Sequence, residues 1–324
     1  MHKSSFKETD TGFELALRPR SLSEFIGHEE IIKRLCIIIN AAKLRNEALG
    51  HILFHGPPGL GKTTLASILA HEMGGSLVTT SGPAIEKAGD LAGILTNLQQ
   101  NDLFFIDEIH RMSRSMEEYL YPAMEDYHLD LMIDSGANAR SVQVSLNQFC
   151  LIGATTKVGN LSSPLRSRFP IIVRLEYYSQ EALTEIVFRS TKILGCQTTK
   201  EAAAAIAKRA RGTPRVANNI LRWVRDYAQL HNDGLIDLST VTQACKMIKV
   251  DEMGLDEMDK KILEMIIDLH NGGPVGLKTI AQTLGEDETT LAEVYEPYLI
   301  MQGLIKRGPR GREVTKFAYE HLGY

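Results

Sequence analysis

The sequence predicts an α/β chain: a parallel-sheet domain around a phosphate-binding loop, then a small all-α domain, then a winged helix. Three observations carry that prediction. The stretch Gly56-Pro57-Pro58-Gly59-Leu60-Gly61-Lys62-Thr63-Thr64 sits between the apolar run Ile52–Phe54 and the helix-periodic segment Leu65–Ala70. Apolar strand-like runs then alternate with helical patterns as far as about residue 175. Near the end, three helical periods are followed by two short strands around Gly308-Pro309-Arg310-Gly311.

The composition narrows the class. With 324 residues, 44% of them hydrophobic and 23% charged, the chain is long enough for two or three compact domains. It has no apolar run of membrane-spanning length, and the polar start, Met1 to Asp10, lacks a signal-peptide core. Residues 1–13 read as a loose polar tail. Cys36, Cys150, Cys196 and Cys245 are far apart, which excludes a C-x-x-C metal or redox motif and points to a reducing cytoplasm. A net charge of −4 offers no global attraction for nucleic acid, so any such binding must be local.

The strands carry the chemistry in order. The first, Ile52–Phe54, feeds the glycine-rich loop, whose spacing G-x-x-x-x-G-K-T lets backbone N–H groups turn inward around a polyphosphate. Lys62 reaches the β- and γ-phosphates of a nucleoside triphosphate, and Thr63 supplies a hydroxyl to Mg²⁺. A second run spans Ser76–Thr79. The third, Leu103–Ile106, delivers Asp107 and Glu108 beside the loop. Asp107 suits Mg²⁺, directly or through water, and Glu108 suits activation of the attacking water. Binding alone would not need Glu108, so the pair argues for hydrolysis. Cys150–Gly153 ends in Ala154-Thr155-Thr156, with Thr156 within reach of the γ-phosphate or the lytic water. Ser163-Pro164-Leu165-Arg166-Ser167-Arg168-Phe169 offers an arginine for a neighbour's phosphate, and Ile171–Leu175 closes the domain.

From Ser179 to about Val250 the chain turns helical without strand signals, with helices expected over Glu201–Arg211 and Pro214–Leu230. Pro214 suits a first helical turn, and Arg215 leans toward the phosphates. Residues 251–324 carry helices Asp256–His270, Leu277–Leu284 and Thr289–Gln302, then strands Leu304–Arg307 and Arg312–Thr315. The third helix and its lead-in hold Glu286, Asp287, Glu288, Glu293 and Glu296 and repel a phosphate backbone. Lys306, Arg307, Arg310 and Arg312 on the wing attract one, without reading bases. Between Tyr127 and Leu146, Leu129, Leu131 and Ile133 alternate against Val142, Val144 and Leu146, the pattern of an inserted β-hairpin. Leu131-Met132-Ile133 leaves one apolar face for a partner to cover.

These segments stand in the order of the AAA+ ATPases: Leu17-Arg18-Pro19, Phe25-Ile26-Gly27, the loop, Asp107-Glu108, Gly153–Thr156, Ser167-Arg168-Phe169 and Gly212–Arg215. More narrowly, GPPGLGKTTLA, LFFIDEIHR, YPAMEDY, GATT, SPLRSRF, RGTPR, GGPVGL and EPYLI make nearly the whole chain resemble the RuvB family. His28 and Pro170 depart from that family's usual glutamine and glycine. The resemblance implies domains at 1–175, 176–250 and 251–324, and ATP with Mg²⁺ as cofactors. It places Leu17 and Arg18 near the base opposite Tyr178, and gives Gly59, Gly61, Lys62, Thr63 and Thr64 to phosphates and metal. Asp107 and Glu108 go to metal and water. Thr156 becomes the first sensor, Arg168 the finger lent to a neighbouring subunit, Arg215 the second sensor, and Glu125-Asp126-Tyr127 a border of the nucleotide. It further implies a bacterial, cytoplasmic, hexameric ring that drives branch migration of Holliday junctions in recombination and DNA repair, gripping duplex DNA through the wing. The partners it implies are RuvA, docked on the 127–146 hairpin, and RuvC. Two other readings share the core: a clamp-loader or initiator-type switch with slow hydrolysis, and a protein-remodelling chaperone.

Overall fold

The computed structural model describes residues 12–132 and 141–324, which fall into two compact units. The first runs to Ile186 and takes in Thr213–Arg215; the second holds Val187–Gly212 and Val216–Tyr324. Residues 12–17 are helical, so the last two positions of the expected tail belong to the fold. Among the described residues, no helix is long and apolar enough to cross a membrane.

In the first unit, strands β1 (Ile52–His55), β2 (Leu77–Ser81), β3 (Leu103–Asp107), β6 (Cys150–Thr155) and β7 (Ile171–Arg174) form a parallel sheet in the order β2-β3-β6-β1-β7. Between β3 and β6 comes an antiparallel hairpin, β4 (His128–Met132) with β5 (Ser141–Ser145). The apolar side chains of β1, β3 and β6 are buried on both faces, as a sheet covered by helices on both sides requires. β1, β2, β3 and β6 run one or two residues past the expected ends, while β7 stops one residue short at Arg174, because register with a neighbour, not side-chain polarity, ends a buried strand. The central strand is tight at Gly153, where a Cβ would lie 3.1–3.2 Å from Ile109, Phe169 and Leu53 side chains.

His51, just before β1, pins the sheet to the helix Arg114–Glu125. Its Nδ1 accepts from the Leu151 N–H and its Nε2 donates to the Met124 carbonyl, both at 2.9 Å. These two partners fix the neutral tautomer, and burial pushes the imidazole pKa down.

In the second unit, helices Lys200–Arg209 and Leu238–Met247 pack on one another, and Pro214–His231 is tied to the latter by Trp223 Nε1–H donating to the Ala244 carbonyl at 2.8 Å. The expectation of no strands here is corrected: β8 (Gln197–Thr198) and β9 (Leu235–Ile236) pair in parallel, too short to leave a sequence pattern. The winged helix follows, with helices Glu257–His270 and Leu277–Leu284 and the wing strands β10 (Ile305–Gly308) and β11 (Gly311–Val314). Val275 bridges Arg312 as a one-residue third strand, and a further helix, Lys316–Leu322, lies beyond the predicted elements. The expected helix Thr289–Gln302 is interrupted. A π turn at Leu291–Tyr295 separates Glu288–Thr290 from Glu296–Met301, because Pro297 has no N–H to give the Glu293 carbonyl.

Two arginines tie this unit together through ion pairs. Arg211 donates Nε to the Gly254 carbonyl at 2.9 Å and Nη2 to Asp256 at 3.2 Å and to Asp259, with its guanidinium 4.9 Å from the Tyr298 ring centre. Desolvation of the fully buried Asp259 pushes its pKa up to about 6 despite Arg211. Arg312 forms a two-pronged pair with Glu296, Nε at 3.0 Å and Nη2 at 2.9 Å, both side chains nearly out of water. Glu296 is therefore not one of the acids facing a phosphate backbone, and Arg312 is not a free wing cation. Replacing Arg312 with alanine strands a buried carboxylate and is expected to lower stability by about 3 kcal/mol or more, read by chemical denaturation. Arg312→Met combined with Glu296→Leu is expected to recover most of that loss.

Candidate nucleotide and DNA sites

The glycine-rich loop leaves β1 with positive φ at Gly56, Gly59 and Gly61, and the helix Lys62–Met73 starts immediately after it. Positive φ at such glycines is what allows a loop before a helix N-terminus to turn its N–H groups inward and cradle phosphate. The Lys62 ammonium is buried and donates to the Gly56 and Pro57 carbonyls, both at 2.8 Å. Burial lowers its pKa, and the nearby Glu108 and Asp107 carboxylates oppose that shift. Thr63 and Thr64 are half-buried in the first turn of the same helix. A Cβ on Gly59 would meet the Cβ of Arg215 at 3.2 Å and that of Thr213 at 3.7 Å, so Arg215 flanks the loop.

At the end of β3, Asp107 Oδ1 accepts the Glu108 N–H at 3.0 Å. Glu108 itself has φ 47°, a left-handed conformation uncommon outside glycine. Its carboxylate meets the Thr156 hydroxyl at 3.1 and 3.3 Å and the Thr156 N–H at 3.4 Å. The structure thus brings Lys62, Asp107, Glu108 and Thr156 to one end of the sheet. It adds a residue that the sequence reading passed over: His110 Nδ1 lies 3.0 Å from Glu108 Oε2 and 2.9 Å from Thr155 Oγ1. The only signal was its place two residues after the carboxylate pair.

Arg168 caps the helix Ser163–Ser167. Nη1 donates to the Pro164 carbonyl at 2.8 Å, Nη2 reaches Glu125 at 3.2 Å, and the guanidinium sits 4.2 Å from the Tyr121 ring centre. Glu125 and Arg168, both expected at a subunit boundary, are partners within this chain. Asp126 is exposed beside Glu125, while Tyr127, φ 53°, turns its ring toward Phe149 and His51 in the core.

Tyr178 is buried and donates to the Leu60 carbonyl at 3.0 Å, which ties it to the glycine-rich loop. His28 meets its ring edge-on, 4.5 Å between centres, and a Cβ on Gly27 would touch that ring at 2.9 Å. Burial pushes the His28 pKa down, with Glu176 opposing. Leu17 is buried, and Arg18 lies 4.0 Å from Glu14. Pro170, the other departure, sets its ring near Gly50.

Models of three RuvB domains match the chain in succession: the Holliday junction DNA helicase RuvB P-loop domain over residues 17–175, the RuvB AAA lid domain over 178–251, and the RuvB C-terminal winged helix domain over 252–323. The chain is a member of the RuvB family. Two relatives named Holliday junction branch migration complex subunit RuvB are similar over almost their full lengths. That of Protochlamydia amoebophila is 60% identical, with 99% of this chain and 96% of the relative covered; that of Chloroflexus aurantiacus is 56% identical, at 97% and 90%. The solved Thermotoga maritima RuvB Holliday junction branch migration motor superposes with a TM-score of 0.85 at 47% identity, covering 95% of this chain and 99% of that one.

Seen as a RuvB-family wing, the hairpin β10–β11 exposes Lys306, Arg307 and Arg310, while Arg312 is held by Glu296. Asp287 is occupied as a helix cap, accepting from the Thr289 and Thr290 N–H groups. In the β4–β5 hairpin, Leu129 is buried against the core and Val142 is 41% exposed. Ile133 and the hairpin tip lie outside the described residues.

The loop backbone gives a direct test. A Cβ at Gly56 would lie 2.2 Å from the Leu175 carbonyl oxygen, which is backbone and cannot step aside. Gly56→Ala is expected to weaken nucleotide affinity by roughly tenfold or more, measured by titration with a fluorescent nucleotide. Gly89→Ala, in the helix Ala88–Leu95 with nothing within 4 Å, is expected to leave affinity unchanged and to stabilise by about 0.5–1 kcal/mol.

Proposed function

We propose that this chain is the ATP-hydrolysing motor subunit of a Holliday-junction branch-migration complex, acting in recombination and repair. The observation that carries the reading is the convergence of a P-loop lysine with Asp107, Glu108 and Thr156 at one end of the sheet. A nucleotide-gated switch or a protein-remodelling chaperone has no observation in its favour here.

The residues fit a nucleotide with its cation. Thr63 and Asp107 offer a hydroxyl and a carboxylate oxygen, the hard donors that Mg²⁺ accepts alongside phosphate oxygens and water. Mg²⁺ would neutralise charge developing on the phosphates. Lys62 exchanges the Gly56 and Pro57 carbonyls for phosphate oxygens, and Glu108 takes the proton from the attacking water while Thr156 orients it. Gly59, Gly61 and Thr64 complete the phosphate cradle, Arg215 closes it within the chain, and Tyr178 backs it through Leu60. Leu17 and Arg18 stand on the base side. Arg168, released from Glu125, reaches a neighbour's γ-phosphate in a hexameric ring, beside that neighbour's border formed by Glu125, Asp126 and Tyr127.

Three functional domains, 1–175, 176–250 and 251–324, divide these tasks. The wing follows duplex DNA through phosphates, using Lys306, Arg307 and Arg310 rather than Arg312. The 127–146 hairpin takes RuvA, and its exposed Val142 supports an apolar contact. RuvC joins the same complex.

Glu108→Gln is expected to abolish ATP turnover while nucleotide affinity stays within about threefold of the parent, because only the base is lost. Turnover near the parent level in a phosphate-release assay would remove Glu108 from the base role. Arg307→Ala with Arg310→Ala is expected to weaken binding to unrelated duplexes by similar factors and to reduce the salt slope by about 2. Loss confined to one duplex sequence would mean that the domain reads bases.

A further inference from the structure

We infer that His110 is a positioning residue for the general base, with the hydroxyl of Thr155 as its support; this rests on the proposed role of Glu108. The two carboxylate oxygens of Glu108 are treated unequally. Oε2 meets His110 Nδ1 at 3.0 Å, Thr156 Oγ1 at 3.1 Å and the Thr156 N–H at 3.4 Å. Among the described residues, Oε1 has one hydrogen-bond partner, Thr156 Oγ1 at 3.3 Å. Of the two, Oε2 is the anchored oxygen, and Oε1 is left to receive a proton from water.

The proton on His110 follows from the same distances. An ionised carboxylate only accepts, so a ring nitrogen 3.0 Å from it must carry hydrogen. The ring is therefore protonated on Nδ1. Thr155 Oγ1 lies 2.9 Å from the same nitrogen and accepts the Lys157 N–H at 2.9 Å. Thr155 is fully buried at the end of β6, in register with His55 of β1, and the His110 side chain is 8% exposed. The imidazole is thus braced against the central strand, and the base is braced against the imidazole. The left-handed backbone of Glu108 fixes the other end of the side chain. A base whose carboxylate could rotate would spend much of its time misaimed, and small losses of alignment are costly at a reacting centre.

The test uses the full-length chain with duplex DNA and Mg²⁺-ATP. His110→Phe keeps a ring but removes the donor, and His110→Asn keeps an N–H near the position of Nδ1. His110→Phe is expected to lower kcat by about tenfold or more, with KM for ATP and the affinity for a non-hydrolysable analogue unchanged. His110→Asn is expected to return kcat to within about threefold of the parent. Equal kcat in the two variants, or a loss that falls on KM, would overturn the assignment and leave His110 as packing. Glu108→Gln, assayed alongside, separates the two ideas. If it still turns over, the reading of the base fails; if it is dead while His110→Phe is unimpaired, only the role of His110 fails.

Discussion

The site depends on one geometric constraint, the shared register of β3, β6 and β1. Ile106 and Leu53 are both in register with Gly153, so the last residues of the three strands arrive at the same level. Asp107 and Glu108, Thr155 and Thr156, and His55 and Gly56 are neighbours for that reason alone. Side chains alternate across a sheet, so a slip of one residue would turn each of these groups to the opposite face. The buried apolar runs on both faces hold the register.

Charge is handled by pairing inside the fold and by exposure outside it. Arg211 with Asp259, and Arg312 with Glu296, are largely out of water, with Asp256 at the more exposed edge of the first pair. Such pairs add little net stability over apolar packing, but each leaves a costly orphan if the elements shift. The Arg312–Glu296 pair therefore specifies how the wing sits on its helices. Lys62 is the counterexample. It is buried against two carbonyls and feels carboxylates without pairing to one, a state suited to accepting phosphate oxygens.

Much of this was legible in the residues. Glycine spacing and flanking patterns determine the loop, apolar runs the buried strands, and the turn Gly308-Pro309-Arg310-Gly311 the wing. What escaped has physical causes. β8 and β9 are two residues each, below any period. Pro297 stood in plain view, but a helical pattern does not show that its missing N–H is met by a π turn that interrupts the helix at Leu291–Tyr295. Arg312 and Arg307 are both arginines on one hairpin, and only the buried Glu296 distinguishes them. His110 sits two residues past a recognised pair, and its partner Thr155 is distant in sequence, so no local pattern could join them.

The strand order also has a consequence for how the chain is made. β1, which feeds the phosphate loop, is flanked by β6 and β7, both of which follow it in the chain. During synthesis its first neighbour, β6, is complete only after Thr155 and its second, β7, only after Arg174. Contacts between segments so distant in sequence close slowly, because the loop entropy must be met before the pairing returns it. Nucleotide affinity is thus a late property of the nascent chain, acquired close to the moment the first unit is complete. Until then, Ile52, Leu53 and Phe54, fully buried in the finished fold, form an apolar segment in need of shelter.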